Sequence, residues 1–363
     1  MKRILLASAS VIAFAGAAAA EITFSGEATL GYNDTDNVID GDPLTPGIQD
    51  SVDDAVGFYW DASIDVTMTQ ALDNGLTAAA SFGLNVVEDS LGDDVASSDY
   101  VLSLTSDTAG LYFGNTEFAA ITHWTSAGDM ESDGFSEEDG ETVLRGDITY
   151  NGVNASVSYA VDGEDLQQLS LGADATFGTI AVAFGYQEDS SPYTGVGGDF
   201  NSNDVMGISV GTSFAGADVR LAYAQEGGSE DRSTIAVKVS YPLGPVTVGA
   251  SYAMEDDALD ATVEDFWEIS ADYASGPIAA NVNYDSNEDW ELTGSYDVGN
   301  GITAYAGLVD AGDDMYVAGS VALGEGATLL VSYVDTGDTS NADDEIGPND
   351  YQEGATVELG FSF

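Results

Sequence analysis

The chain has 363 residues, 64 of them acidic and 6 basic, with one His and no Cys. A formal charge of -58 excludes nucleic acid as a natural partner, because phosphate neutralisation needs Lys and Arg. Disorder is excluded from the other side, since 44% hydrophobic and 10% aromatic residues are too many for a chain that stays unfolded. Charge of this size opposes compaction unless salt screens it or loops project it into water.

Residues 1–20 read as a secretory signal: Lys2 and Arg3, an apolar stretch from Ile4, then Ala18-Ala19-Ala20 before Glu21. Removing Lys2 and Arg3 takes the formal charge from -58 to -60. Residues 21–363 then form one exported domain. With no Cys it has no disulfide, so the backbone ladder and side-chain packing must hold it.

From Ile22 the pattern has period two. On residues 22–33, Ile22, Phe24, Ala28, Leu30 and Tyr32 share one face, and Thr23, Ser25, Glu27 and Thr29 the other. The next strand carries Val56, Phe58, Trp60, Ala62, Ile64, Val66 and Met68 outward, with Tyr59, Asp61, Ser63, Asp65 and Thr67 inward. Asp61 and Asp65 would be ruinous in a dry core and are ordinary facing water. Later, Ile180, Val182, Phe184 and Tyr186 alternate with Ala181, Ala183, Gly185 and Gln187. No later stretch reaches the roughly 18 consecutive apolar residues of a membrane helix, so a membrane reading requires a barrel.

Short turns punctuate the strands at Asp73-Asn74-Gly75, 107–110, Asn151-Gly152, Gly178-Thr179, Ala215-Gly216, 242–245, Ser275-Gly276, 299–301 and 324–326. Each joins two strands, and a first and last strand flank the set, giving up to 20 strands; misread hairpins would lower this to 16 or 18. Longer acidic segments join the opposite ends, at 34–54, 88–98, 119–141, 188–203, 255–264 and 335–350. Tight turns on one side and long loops on the other are the plan of a transmembrane antiparallel β-barrel in an outer membrane. Tyr150, Phe177, Phe214, Tyr241, Tyr273 and Tyr296 precede short turns, whereas Tyr159, Tyr186, Tyr223, Tyr252, Tyr284 and Tyr333 end the returning strands. These are two aromatic belts. Ten residues at about 3.4 Å each, tilted about 45°, separate them by roughly 24 Å, close to the apolar band of about 25 Å. A soluble barrel or sandwich whose Tyr residues merely favour strands is the alternative.

The run Leu111-Tyr112-Phe113-Gly114-Asn115-Thr116 before residue 119, the start Glu21-Ile22-Thr23-Phe24-Ser25-Gly26, residues 171–186 and the ending Leu359-Gly360-Phe361-Ser362-Phe363 resemble the general porins of the alphaproteobacterial outer-membrane type. That resemblance implies 16 strands, a constriction loop folded inward at 119–141, a homotrimer, a terminal Phe read by the assembly machinery, and passive diffusion of small hydrophilic solutes. It also implies a basic cluster on the wall facing the loop carboxylates.

The segment 119–141 carries Asp129, Glu131, Asp133, Glu137, Glu138, Asp139 and Glu141 with no Lys or Arg. Folded inward, it would set a dense negative field across the narrowest part, and rings of Asp and Glu select cations. Strand parity turns Arg145, Arg220 and Lys238 to the lumen wall together with Asp147, as candidates for the opposing wall or as partners of nearby acids. Arg232, beside Glu230 and Asp231, reads as a surface pair of little worth. The expected function is an outer-membrane diffusion channel for small hydrophilic solutes and ions, cation-selective, embedded in lipid, with no cofactor and no enzymatic role. The alternative is a plugged structural or adhesive barrel whose acidic loops bind Ca²⁺, the ion their oxygens would suit. A hydrolase would have to be built around His123, which reads as a loop-packing residue beside Trp124.

Overall fold

The computed structural model describes residues 20–34, 57–88, 95–138, 140–190, 200–228, 231–258, 262–336 and 346–363. The expected signal at 1–19, Val56, Asp139, Glu230 and most of the loop 34–54 lie outside the described residues.

The described residues form twenty strands in one antiparallel sheet. The first are β1 (Glu21–Asn33), β2 (Gly57–Ala71), β3 (Thr77–Glu88), β4 (Ala96–Thr105) and β5 (Ala109–Gly114). After a short helix α1 (Ala119–His123) come β6 (Val143–Tyr150), β7 (Val153–Asp162), β8 (Asp165–Phe177), β9 (Ile180–Gln187) and β10 (Val205–Phe214). The next are β11 (Ala217–Glu226), β12 (Arg232–Leu243), β13 (Val246–Asp257), β14 (Phe266–Ser275) and β15 (Ile278–Asp285). The set ends with β16 (Trp290–Gly299), β17 (Ile302–Val309), β18 (Asp314–Gly324), β19 (Ala327–Asp335) and β20 (Gly354–Ser362). Sequential strands pair, and β1 pairs with β20 from Glu27↔Ser362 to Asn33↔Thr356, which closes the barrel. Phe363 extends the seam: its N–H donates to the Gly26 carbonyl at 2.8 Å and its carbonyl accepts from Gly26 N–H at 3.3 Å.

Every predicted short turn joins a strand pair, including the hairpins at Ser275-Gly276 and 324–326. The count of 16 implied by the resemblance is therefore corrected to 20, which widens the bare barrel. Asn151 and Gly152 both adopt positive φ, as a two-residue hairpin turn matched to strand twist requires. Gly114, at φ 123°, ends β5 five residues before α1 opens at Ala119.

Register keeps the apolar sets together: Ile22 faces Met68, Phe24 faces Val66, and Leu30 faces Trp60. Phe58 is 69% exposed and Leu221 58% exposed on this outer face, a belt stable only against lipid. No described helix is long and apolar enough to cross a membrane, so the strands do the crossing. The buried apolar clusters lie on the other side, where chain packs against the inner wall.

Candidate functional site: a loop seated on the inner wall

Residues 115–142 connect β5 to β6 and run along the inner faces of β7 to β13. Their seat is built from small and hydroxylic inward residues. The first helical N–H groups of α1 have no side-chain cap at Phe118, and the wall supplies acceptors instead. Ala119 N–H donates to Ser158 Oγ and Ala120 N–H to Ser170 Oγ, each at 2.8 Å. Gly172 lies against the Ala119 carbonyl, leaving no room for a side chain. A Cβ on Gly207 would stand 2.5 Å from the Trp124 ring, and one on Gly185 2.8 Å from Phe135. Farther round, Ala127 and Met130 bury themselves on Ala222, Ala224, Ala236 and Ala253. Hydrophobic burial thus holds a strongly acidic segment inside a wet barrel.

The returning limb is tied by hydrogen bonds. Ser132 N–H donates to Thr234 Oγ1 at 3.2 Å, and Ser136 N–H to Gln187 Oε1 at 2.7 Å. Asn201 bridges the limb to the wall, its Nδ2 donating to the Gly134 carbonyl and to Glu226 Oε1, both at 2.7 Å. Glu226 is 1% exposed and is neutralised by Arg232, whose Nε donates to Oε2 at 2.7 Å. Arg232 is therefore the partner of a buried carboxylate rather than a surface pair, because it opens β12 instead of sitting in a loop.

The predicted loop carboxylates divide into two groups. Asp129, Glu131 and Glu137 are exposed. Asp133 accepts from Trp124 Nε1 at 2.8 Å, and burial pushes its carboxyl up to about 6 despite that bond, with Asp129 and Glu226 adding repulsion. Glu138 accepts from Asn115 Nδ2 and Gly140 N–H, both at 2.9 Å, and Glu141 is fully buried. Among the described residues no three or more His, Asp or Glu side chains converge as a metal shell.

All three predicted bases face inward, on the arc that carries the loop rather than across from it. Arg145 clamps the loop entrance: it donates to the Glu117 carbonyl at 2.8 Å and Thr122 Oγ1 at 3.2 Å, lies 5.0 Å from the Tyr112 ring centroid, and pairs with Asp147 at 3.0 Å. Arg220 and Lys238 are direct cross-strand neighbours on β11 and β12. The facing arc carries Asp61 and Asp65 on β2 and Glu358 on β20, while Glu268 and Asp272 on β14 stand beside the loop seat and Glu291 on β16 lies between. The side expected to be basic is acidic.

His123 Nδ1 lies 2.5 Å from Asp174 Oδ1, and Nε2 lies 2.7 Å from Ser156 Oγ. A carboxylate only accepts, so Nδ1 donates to it, and Nε2 shares a hydrogen bond with the Ser156 hydroxyl. The constellation has the order of a Ser-His-Asp relay, yet Ser156 is 8% exposed beneath the loop, so no substrate reaches its oxygen. It works as a latch between α1, β7 and β8.

One inward element escaped the sequence reading. Within the segment taken as an outer loop at 335–350, Ile346 bridges to Tyr351 and the turn packs on Tyr305, Tyr316 and Val334 from β17 to β19. Burial raises the Tyr351 hydroxyl to about 12. The apolar Ile346-Gly347-Pro348 island followed by Tyr351 was the available signal.

A family model described as Gram-negative porin matches residues 7–314. No curated protein matches. Among solved structures, a Rhodopseudomonas blastica porin triple mutant is 16% identical with a TM-score of 0.46, over 95% of this chain and all (100%) of that one. A second mutant of that porin is 15% identical with the same score and coverage.

Proposed function

Because the chain belongs to the Gram-negative porin family, a family of outer-membrane channels without enzymatic activity, we propose that it passes small hydrophilic solutes by diffusion and favours cations over anions. The observation that carries this reading is the arrangement of charge: exposed Asp129, Glu131 and Glu137 on the seated segment share the lumen with Asp61, Asp65 and Glu358 on the facing arc and with Glu268 beside the seat. Rings of carboxylate attract cations and repel anions, and low-dielectric walls focus the field. The segment 119–141 is the constriction in this reading, supported by its hydrogen bonds to inner-wall Ser158, Ser170 and Gln187. Release of residues 1–20 and assembly as a homotrimer belong to the same proposal, the first on its charge and Ala pattern, the second on the family resemblance alone.

A second reading is favoured by the Ile346–Tyr351 turn, which enters the lumen from the opposite arc. If the two inward segments together blocked the lumen, the barrel would be structural. Purified protein added to a planar bilayer decides between them: ohmic conductance steps support the channel, and a silent membrane supports the plug.

A further inference from the structure

Arg220 and Lys238 are left without work by the loop. They face each other across β11 and β12, where directly opposed like charges destabilise a sheet. In a chain with 64 acidic residues, neither forms an ion pair among the described residues. Arg220 gives one N–H to Ser209 Oγ at 3.0 Å, and Lys238 is exposed. The acid nearest along the strand, Asp218, accepts instead from Ser213 Oγ.

The row across the wall runs Ala181, Gly211, Arg220, Lys238, Ser251 from β9 to β13. A Cβ on Gly211 would stand 3.3 Å from Arg220 Nη2, so glycine lets the guanidinium lie flat along the wall. The small residues beside it open a pocket of about 300 Å³ lined by Thr179, Ser213, Asp218, Arg220, Lys238 and Ser240. It lies on the short-turn side of the loop seat, since the next inward residues on these strands, Ala222 and Ala236, are those under Ala127 and Met130. Short turns mark the periplasmic end of such barrels.

We propose that this pocket binds a small oxyanion, such as inorganic phosphate or the carboxylate of a solute, inside a lumen that otherwise favours cations. The guanidinium fork takes two oxygens, Lys238 supplies a point charge, and the Ser240 hydroxyl adds a donor, while the Ser213 hydroxyl holds Asp218. Anions entering from the periplasmic mouth reach the pair without crossing the loop carboxylates.

The test is phosphate binding to purified protein in detergent, followed by ³¹P line broadening and repeated with acetate competing. Saturable binding that falls at least tenfold in the double variant R220Q/K238Q, falls in G211V and persists in K238R is expected. Retained β-sheet circular dichroism and conductance steps show each variant is folded. Absence of saturable binding to the wild-type protein, or binding unchanged in R220Q/K238Q, overturns the proposal. Binding is read without a salt gradient, so the result stands independently of ion preference.

Discussion

Gly207 lies directly under the Trp124 indole, so close that a Cβ would stand 2.5 Å from the ring. The contact makes a strand glycine part of the channel's internal furniture, with the opposite hydrogen-bonding edge of the ring held by Asp133. Gly207→Val should lift the Trp124 corner from the wall at a cost of about 1–3 kcal/mol, the range of overpacking in a close-packed site. The barrel ladder should survive. The expected outcome is unchanged heat resistance of the folded band on gels with altered single-channel conductance and more current noise.

The latch at His123 predicts a related effect by removal. His123→Ala deletes two hydrogen bonds, one to a carboxylate, and should weaken loop seating by about 1–3 kcal/mol. Protease susceptibility near α1 and flicker in current records should both rise. Hydrolysis of model esters should be equally absent before and after the change; measurable hydrolysis lost in the variant would contradict the reading of His123 as a latch.

Asp133 sets a pH dependence. Its carboxyl lies at about 6, above its ordinary 3.8, so between those values the seated loop binds a proton that the released loop does not. Seating is accordingly stronger as pH falls through that window and weaker as pH rises through it. Charge runs the other way, because protonation removes one negative group from the segment. Cation preference should therefore decline as pH is lowered through about 6, and Asp133→Asn should flatten that step. A step of equal size in the variant would place the titrating group elsewhere.

The barrel was legible because strands and turns are local. Alternation at Ile180 to Gln187 and dipeptides such as Asn151-Gly152 specify face and reversal without reference to distant chain. The hairpin reading reached the full 20 strands, and the resemblance, which implied 16, did not. What stayed hidden is nonlocal. Ala222, Ala224, Ala236 and Ala253 carry no local signal that marks them out, and only the path of the loop makes them a seat for Ala127 and Met130. Arg145 showed its inward direction by parity, while its engagement with Glu117 and Thr122 depends on where the loop returns. Ile346 to Tyr351 was concealed by its acidic surroundings, which outweighed a short apolar island.

The exposed carboxylates of the segment should act as a group. The triple variant with Asp129→Asn, Glu131→Gln and Glu137→Gln leaves the buried anchors in place and should cut the displacement of the reversal potential by about half, since wall acids such as Asp61 and Glu268 remain. Conductance steps of wild-type size would show that the lumen is intact. An undiminished displacement would move the selective element off the loop and onto the wall.

The most direct test is the zero-current potential of single channels in a planar bilayer under a tenfold KCl gradient. Carboxylates on both the seated loop and the facing arc predict a potential displaced toward the K⁺ equilibrium value, whose limit is about 59 mV for that gradient. A potential at zero, or one displaced toward the Cl⁻ value, would contradict the account.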